Sequence, residues 1–319
     1  MMKTQLTELL GIQYPIIQGG LANLAYSELA AAVSNAGGLG QITATSLPSA
    51  NHLREEIQQV RKLTNRPFSV NIAISEHKSI MPFLEVVQDE QVQAVTLTGG
   101  NPAPILHQLE SSSVKKLILV SSVRQAKKAE SLGADAVIAV GQEGGGHIGR
   151  ADTGTIVLVP RVVDAVKIPV VASGGIADGR GFLAALALGA QGIEMGTRFI
   201  ATRECIAHSA YKNAIVERDE SQTLVIKRSI GAPGRVLNSD WVQKILEEEE
   251  RGATAEQLHP YLTGERNRTA ILEGHMDAGF AWAGQSIGLI DSVPTVAQLF
   301  QFLLSTLGSM KDTVNGYVS

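Results

Sequence analysis

Short apolar runs alternate with amphipathic segments from residue 15 to residue 218, and this alternation limits what the chain can fold into more than any other feature. The runs are rich in Val, Ile and Ala, which is typical of strands buried on both faces of a parallel sheet. We predict strands at eight of these runs, residues 15–18, 38–42, 68–74, 94–98, 116–120, 136–140, 169–172 and 192–195.

A segment with helical periodicity follows each run, and several of these segments end at a glycine, the usual helix stop. The predicted helices span 27–36, 49–63, 78–88, 104–109, 123–132, 156–165, 180–188 and 206–218. Strands that alternate with helices lie parallel and are joined by right-handed crossovers, so eight such units predict a (β/α)8 TIM barrel. An open doubly wound sheet is the alternative, but glycine-rich turns follow many of the strands here rather than a single switch point.

The pattern changes after residue 220, where the chain becomes charged and irregular. We interpret 221–272 as a small α-rich capping domain, with a helix that starts near Ser239 and ends in the solvated acidic run 247–250. Residues 1–220 and 273–319 then form the barrel, and a final apolar helix at 295–304 packs back onto it. The apolar residues of this last helix are consistent with a homodimer.

The composition predicts which kinds of partner the protein lacks and which cellular compartment it occupies. The net charge is −4 and no basic tract is present, so we expect no nucleic-acid partner. No apolar stretch reaches the roughly 20 residues of a membrane span, and the N-terminus lacks the apolar core of a signal peptide. The single cysteine, Cys205, fits a reducing compartment, and we expect a cytoplasmic protein. No cluster of side chains has metal-ligand spacing, so we expect no metal site.

Small polar residues and glycines follow the predicted strands, at the end of a TIM barrel where function gathers. Ser173, Gly174 and Gly175 follow the seventh strand, and Met195, Gly196 and Thr197 end or follow the eighth. The turns after strands seven and eight are the recurrent phosphate site of this fold, because their N–H groups can face an anion. Tight strand–helix packing that merely requires glycine is the alternative explanation.

Two other predicted strands bring residues to the same predicted pocket. Gln18, Gly19, Gly20 and Leu21 close the first strand, where backbone can lie along a planar ring, and Asn71 on the third strand can hydrogen-bond the polar edge of such a ring.

The loop after the sixth strand contains three glycines, including Gly145 and Gly146, directly before His147. Glycines allow close approach to a ligand, and histidine exchanges protons near neutral pH. A flexible surface loop is the alternative for this segment taken alone.

Six segments together resemble the nitronate monooxygenase (2-nitropropane dioxygenase) family, which includes the flavin-dependent enoyl-ACP reductase II. They lie at 15–20, 30–40, 70–72, 145–149, 174–179 and 196–199, and the match extends to 283–285. The resemblance implies an FMN-binding barrel with His147 as the catalytic histidine and Gln285 near the flavin. The residues that it implies for FMN binding are Gln18, Gly19, Gly20, Leu21, Asn71, Gly145, Gly174, Gly175, Gly196 and Thr197, and we include their neighbours Gly146, Ser173 and Met195.

Two positions depart from the family pattern. Glu194 stands where members often carry Gln, which affects one side-chain contact to FMN, and Leu21 stands where they often carry Met. The second change conserves volume at a position that acts through its backbone.

The resemblance implies oxidation of an alkyl nitronate, a small-molecule substrate, with O2 to a carbonyl compound and nitrite. His147 then acts either as a base on a neutral nitroalkane or as a partner of the bound nitronate. The alternative is an enoyl-ACP reductase II that uses NAD(P)H. Against it, Asn23 follows Ala22 where those reductases carry Trp, and the basic residues that a carrier protein would need are scattered. These residues are Lys227, Arg228, Arg235, Arg266 and Arg268. A non-catalytic flavin- or nucleotide-binding protein is a third interpretation.

Overall fold

A computed structural model describes residues 2–74 and 79–318 of the chain. The strands in these residues follow one another as short, mostly buried segments. In chain order they are β1 Ile16–Gln18, β2 Gly40–Thr43, β3 Phe68–Ala73, β4 Ala94–Thr98, β5 Lys115–Val120, β6 Ala136–Val140, β7 Gly146–His147, β8 Val170–Ser173, β9 Gly192–Met195, β10 Thr223–Ile226 and β11 Gly234–Leu237.

Helices connect most of these strands. They are α1 Gln5–Leu10, α2 Ser27–Asn35, α3 Ala50–Leu63, α4 Met81–Asp89, α5 Ala103–Gln108, α6 Val123–Ser131, α7 Thr155–Val163, α8 Gly179–Ala187, α9 Thr197–Ile200, α10 Ser209–Glu217, α11 Asp240–Glu250, α12 Ala255–Leu258, α13 Gly264–Ile271 and α14 Val296–Val318. Short 3-10 turns occupy Ala44–Ser46, Glu220–Gln222, His259–Tyr261, Met276–Ala278 and Gln285–Leu289.

Eight strands form one sheet in the order β1-β9-β8-β6-β5-β4-β3-β2, and every paired neighbour is parallel. A parallel bridge between Ile17 and Leu39 joins β1 to the residue before β2 and closes the sheet on itself. The predicted TIM barrel is therefore confirmed, and the open doubly wound sheet is excluded. Each predicted strand coincides with an observed one to within two residues. Lys78, where one predicted helix starts, lies outside the described residues.

The segment from Thr223 to Ile271 holds three helices, as its composition predicts, together with a β-hairpin that the sequence pattern does not indicate. Strands β10 and β11 pair antiparallel, and β11 pairs in turn with β7, the two-residue strand that contains His147. This insertion has its own apolar cluster, formed by Ile226, Val236, Val242, Ile245 and Leu258 together with Phe280 from the segment that follows. Strand pairing thus joins the insertion to the loop that follows the sixth barrel strand.

The helix predicted to start near Ser239 does so, with the Ser239 hydroxyl accepting from Val242 N at 3.3 Å. The last helix begins where predicted but continues to Val318 and packs against α8 and α2. In the part of the chain that the structure describes, no helix combines the length and apolar character needed to cross a bilayer.

Candidate active site

A cavity of about 590 Å³ lies among the turns after the barrel strands and the segment around Gly284. It brings together residues that are far apart in the sequence. The predicted site residues that line it are Gly19, Gly20, Leu21, Asn71, Gly145, Gly146, His147, Ser173, Gly174, Gly175, Met195, Gly196 and Thr197.

Two predicted site residues, Gln18 and Gln285, do not line the cavity, although residues next to both of them do. Gln18 is fully buried, its Oε1 accepts from Gln41 N at 2.9 Å, and its carbonyl accepts from Gln41 Nε2 at 2.8 Å. Gln285 donates its backbone N–H to Glu143 O at 2.9 Å, while its neighbours Gly284 and Ser286 line the cavity. Gln18 thus ties β1 to β2, and Gln285 ties the C-terminal segment to the loop after β6.

Asn71 contributes a buried hydrogen-bond donor to the cavity. Its side chain is 3% exposed, and Nδ2 has no hydrogen-bond partner in residues 2–74 and 79–318. A buried amide N–H without a partner is costly, so this atom calls for an acceptor supplied from the cavity. The first-strand turn next to it is held in place because Leu21 N donates to Thr43 Oγ1 at 2.9 Å.

The turns after β8 and β9 offer backbone N–H groups. Gly174 and Gly175 have φ angles of 97° and 76°, a left-handed conformation that favours glycine. The N-terminus of α8 is capped by Asp178, whose carboxylate accepts from the first-turn N–H groups at 2.9 and 3.2 Å. By contrast, α9 begins at Thr197 without a side-chain cap. The N–H groups at the start of α8 are thus taken by Asp178, whereas no side chain caps those at the start of the single-turn α9, where an anion could accept from them.

The loop after β6 is held by Glu143 and Thr155. The Glu143 carboxylate accepts from Thr155 N at 3.0 and 2.9 Å, which caps the N-terminus of α7. The Thr155 hydroxyl also donates to Gly174 O at 2.9 Å and so connects this loop to the turn after β8. Further along, a Cβ at Gly145 would lie 2.5 Å from Gly284 N, so only glycine fits this close approach.

His147 is placed by the insertion. In the ladder between β7 and β11, His147 faces Gly234 and Gly146 faces Arg235. The buried Arg235 guanidinium reaches across this ladder and donates to Gln142 O from Nε at 3.2 Å and from Nη2 at 3.1 Å. The β-hairpin of the insertion thus fixes both the backbone and the direction of the histidine loop.

His147 is exposed to solvent through the open cavity, while Lys227 and Trp282 pack against its ring. Its ring lies 5.1 Å from the Trp282 ring, and its Nε2 lies 2.9 Å from Nζ of Lys227. Burial among these groups, together with the Lys227 charge, lowers the pKa of His147 to about 4. Burial also lowers the pKa of Lys227 to about 8, although Glu249 opposes this shift. His147 is therefore neutral at pH 7, and the positive charge lies on Lys227.

Glu194 is fully enclosed at the cavity wall. Burial raises its pKa to about 7, and hydrogen bonds from Ser173 and Gln41 oppose this rise. At the position where the sequence departs from the expected Gln, this chain therefore carries a carboxyl group whose neutral form is favoured by burial.

Sequence reasoning did not assign a site role to Glu143, Lys227 or Trp282. Glu143 lies within the glycine-rich loop, and Trp282 directly precedes the 283–285 match, so both had a signal nearby. Lys227 was considered only as a basic residue that a carrier protein could use, because its contact with His147 depends on pairing of the insertion with β7. In the described residues, no three His, Cys, Asp or Glu side chains are grouped so as to hold a metal ion.

Fold and cavity together define a TIM-barrel protein with a glycine-lined, largely apolar pocket and a histidine at the carboxyl ends of the barrel strands. The model of the nitronate monooxygenase family matches residues 3–306, and the chain belongs to this family. This membership makes it a flavin-dependent oxidoreductase, and so an enzyme rather than a non-catalytic binding protein.

Individual relatives cover nearly the whole chain. A probable nitronate monooxygenase from Staphylococcus haemolyticus is 35% identical over 90% of this chain and 92% of its own length. The solved structure of FabK from Thermotoga maritima is 40% identical, has a TM-score of 0.94, and is matched over 99% of this chain and 100% of its own. Nitroalkane oxidase from Streptomyces ansochromogenes is 28% identical, with a TM-score of 0.84 and coverage of 98% and 100%.

Proposed function

We propose that the chain is an FMN-dependent nitronate monooxygenase that oxidises alkyl nitronates with O2 to carbonyl compounds and nitrite. When bound, FMN supplies the redox chemistry, and the protein binds, orients and shields the reactants. The family and the nitroalkane oxidase neighbour support this reaction.

The residues of the cavity fit FMN. The buried Nδ2 of Asn71 lacks an acceptor, which a carbonyl at the edge of a flavin ring would supply. Left-handed Gly174 and Gly175 and the uncapped start of α9 suit a terminal phosphate. We therefore assign the ring to the side of Asn71 and the phosphate to the turns after β8 and β9.

The observation that carries the nitronate proposal is the buried cation beside the catalytic histidine. Nζ of Lys227 lies 2.9 Å from His147 Nε2, and the Lys227 side chain is almost fully buried. A buried positive charge next to a cavity attracts an anion more strongly than an exposed one, because water screens it less. Apolar Ile200 and Ile271 line the same cavity and suit the alkyl part of a nitronate.

Enoyl-ACP reductase II is the second candidate, and the 40% identity to FabK favours it. A carrier-protein substrate would need an exposed basic surface. Lys227 and Arg235 are buried, Arg228 pairs with Asp152 at 2.9 Å, and the Arg266 guanidinium stacks 4.5 Å from the Trp241 ring. Lys227 and Arg235 are thus unavailable to a carrier, whereas Arg228, Arg266 and Arg268 remain exposed, so a basic carrier surface would have to be built from these three arginines.

Anaerobic mixing of the purified yellow protein with each reagent separates the two candidates. We expect an alkyl nitronate to bleach the flavin absorbance without a pyridine nucleotide, and NADH or NADPH to bleach it slowly or not at all. Rapid bleaching by NAD(P)H alone, with turnover of an enoyl thioester, would instead assign the reductase. A protein that neither reagent bleaches contradicts both. His147→Ala should keep its flavin and lose turnover, and full turnover in that variant contradicts the role of His147.

A further inference from the structure

Lys227 has a backbone conformation that lysine rarely adopts. Its φ is 64°, in the left-handed region, where a Cβ lies too close to the following carbonyl oxygen. It directly follows β10, and its side chain is 7% exposed although lysine is almost always solvated. Such strain persists only where the surrounding structure enforces it.

The turn after β10 enforces this conformation through Glu249 on α11. The Glu249 carboxylate accepts from Lys227 N at 2.7 Å, from Ser229 N at 3.0 Å and from Ser229 Oγ at 2.7 Å. The Lys227 carbonyl in turn accepts from Ala232 N at 3.1 Å. Because Glu249 binds the backbone of the turn, the ammonium group is left free to point inward.

The inward ammonium meets His147 and Trp282. Nζ lies 2.9 Å from His147 Nε2 and 5.1 Å from the centre of the Trp282 ring, where it gains a cation–π contact. An ammonium group has three donor protons and no lone pair. Nε2 must therefore be the acceptor, which places the imidazole proton on Nδ1.

The charges around the pair agree with this assignment. An imidazolium would put two cations 2.9 Å apart. The pKa of His147 is about 4 and that of Lys227 is about 8, so at a pH between these values the single positive charge lies on the lysine. The charged groups on the neighbouring elements are Glu249 on α11, Arg235 on β11, and Arg228, which is held by Asp152.

We propose that Lys227 is a positioning residue that holds His147 as the neutral Nδ1–H tautomer and supplies the positive charge of the pair, so that the site selects a substrate that arrives as an anion. With its Nε2 lone pair occupied, His147 does not take a proton from a neutral nitroalkane. The tautomer assignment is independent of the reaction, whereas the preference for a nitronate rests on the proposed function.

The tautomer is tested in the purified protein with its flavin oxidised, by two-bond ¹⁵N–¹H correlation NMR of labelled histidines, with a His147→Asn sample to assign the signal. We expect the natural protein and Lys227→Arg to show the Nδ1–H form, and Lys227→Met to show mixed tautomers and a higher His147 pKa. Lys244→Met is the matched control, because exposed Lys244 also lies over a tryptophan, 5.8 Å from the Trp241 ring. An Nε2–H signal in the natural protein, or an unchanged signal in a folded Lys227→Met protein, overturns the assignment.

The substrate preference is tested by kinetics with a nitronate and its parent nitroalkane. Loss of the positive charge behind His147 should raise KM for the nitronate about 10- to 100-fold in Lys227→Met, with a much smaller change in kcat and flavin content. Lys227→Arg should recover most of this loss. An unchanged KM in Lys227→Met overturns the preference. If the natural protein turns over neither nitro form but shows the Nδ1–H tautomer, the proposed function fails and the role of Lys227 in positioning His147 stands.

Discussion

The charge of Glu194 links the stability of the protein to pH. Its folded-state pKa of about 7 lies above the unfolded value of 4.5, so the native state binds more protons between these two pH values. The free energy of unfolding therefore falls as pH rises through this window, because the unfolded carboxyl ionises while the buried one resists. Below pH 4.5 the group is neutral in both states and no longer contributes.

Replacing Glu194 by Gln should remove this pH dependence without changing the shape of the side chain. We expect the difference in unfolding free energy between Glu194→Gln and the natural protein to grow by about 2–3 kcal/mol, in favour of the variant, from pH 5 to pH 8. Urea unfolding at the two pH values measures this gain. Glu250→Gln, at an exposed position, is the control and should show no comparable gain. If the difference in unfolding free energy between the two proteins is the same at pH 5 and pH 8, the Glu194 carboxyl ionises as readily in the folded protein as in the unfolded chain.

Single residues were predictable where they sit at strand ends of the barrel. Asn71, Gly174 and Thr197 follow from the rule that barrel turns on one side converge, which needs only the order of the elements. Lys227 and Trp282 were not predictable in this way. Their positions depend on pairing between the insertion and β7, and on a left-handed lysine that no local propensity favours.

Among the elements, the three-stranded sheet β10-β11-β7 contains His147, the residue that we propose to be catalytic. Its stability depends on Arg235, which is buried and donates to Thr223 Oγ1 at 3.1 Å as well as to Gln142 O. These contacts connect both strands of the insertion to the loop after β6. The sheet is otherwise short, and only two residue pairs join β11 to β7.

Replacing Arg235 by Met should loosen this sheet while leaving the barrel intact. The loss leaves buried acceptors unpaired, and we expect a cost of about 1–3 kcal/mol together with a fall in kcat/KM. Hydrogen exchange should become faster at Gly146 and His147 and stay unchanged in the barrel strands. Arg228→Met is the control, since its ion pair with Asp152 is exposed and worth less than about 1 kcal/mol. Equal exchange in both variants would contradict the clamping role of Arg235.

The barrel strands could be read from the sequence because each is a continuous apolar run between turn residues, and this signal is local. The hairpin was missed for the opposite reason. Strand β10 holds four residues, β11 begins at a glycine, and their third partner is Gly146–His147, which resembles a loop when taken alone. The pairing of the hairpin with β7 has no local sequence signal, because the paired segments are far apart in the chain. Lys227 and His147, which are in contact, are separated by 80 positions.

At the scale of the whole molecule, the cavity is assembled from turns that span most of the chain. Gly19 follows the first barrel strand, Met195 ends the last, and Gly284 comes from the segment after the insertion. The unfolded chain therefore has no equivalent site, and any ligand of the cavity binds the native state alone. Occupancy by a cofactor should accordingly stabilise the protein as a whole rather than a single loop.

FMN at about 100 times its Kd should raise the free energy of unfolding by about 2.7 kcal/mol, measured as a higher midpoint in thermal or urea unfolding. Riboflavin should stabilise less at equal concentration, because it lacks the phosphate that the turns after β8 and β9 would hold.

Asn71→Ala should weaken FMN binding about 3- to 10-fold, since it removes one buried donor. Thr96→Val is the matched control. Thr96 is paired with Asn71 in the sheet and its hydroxyl is also buried and unpartnered among the described residues, but it does not line the cavity. Equal stabilisation by FMN and riboflavin would contradict the phosphate assignment, and an FMN response lost in Thr96→Val but kept in Asn71→Ala would contradict the placement of the ring beside Asn71.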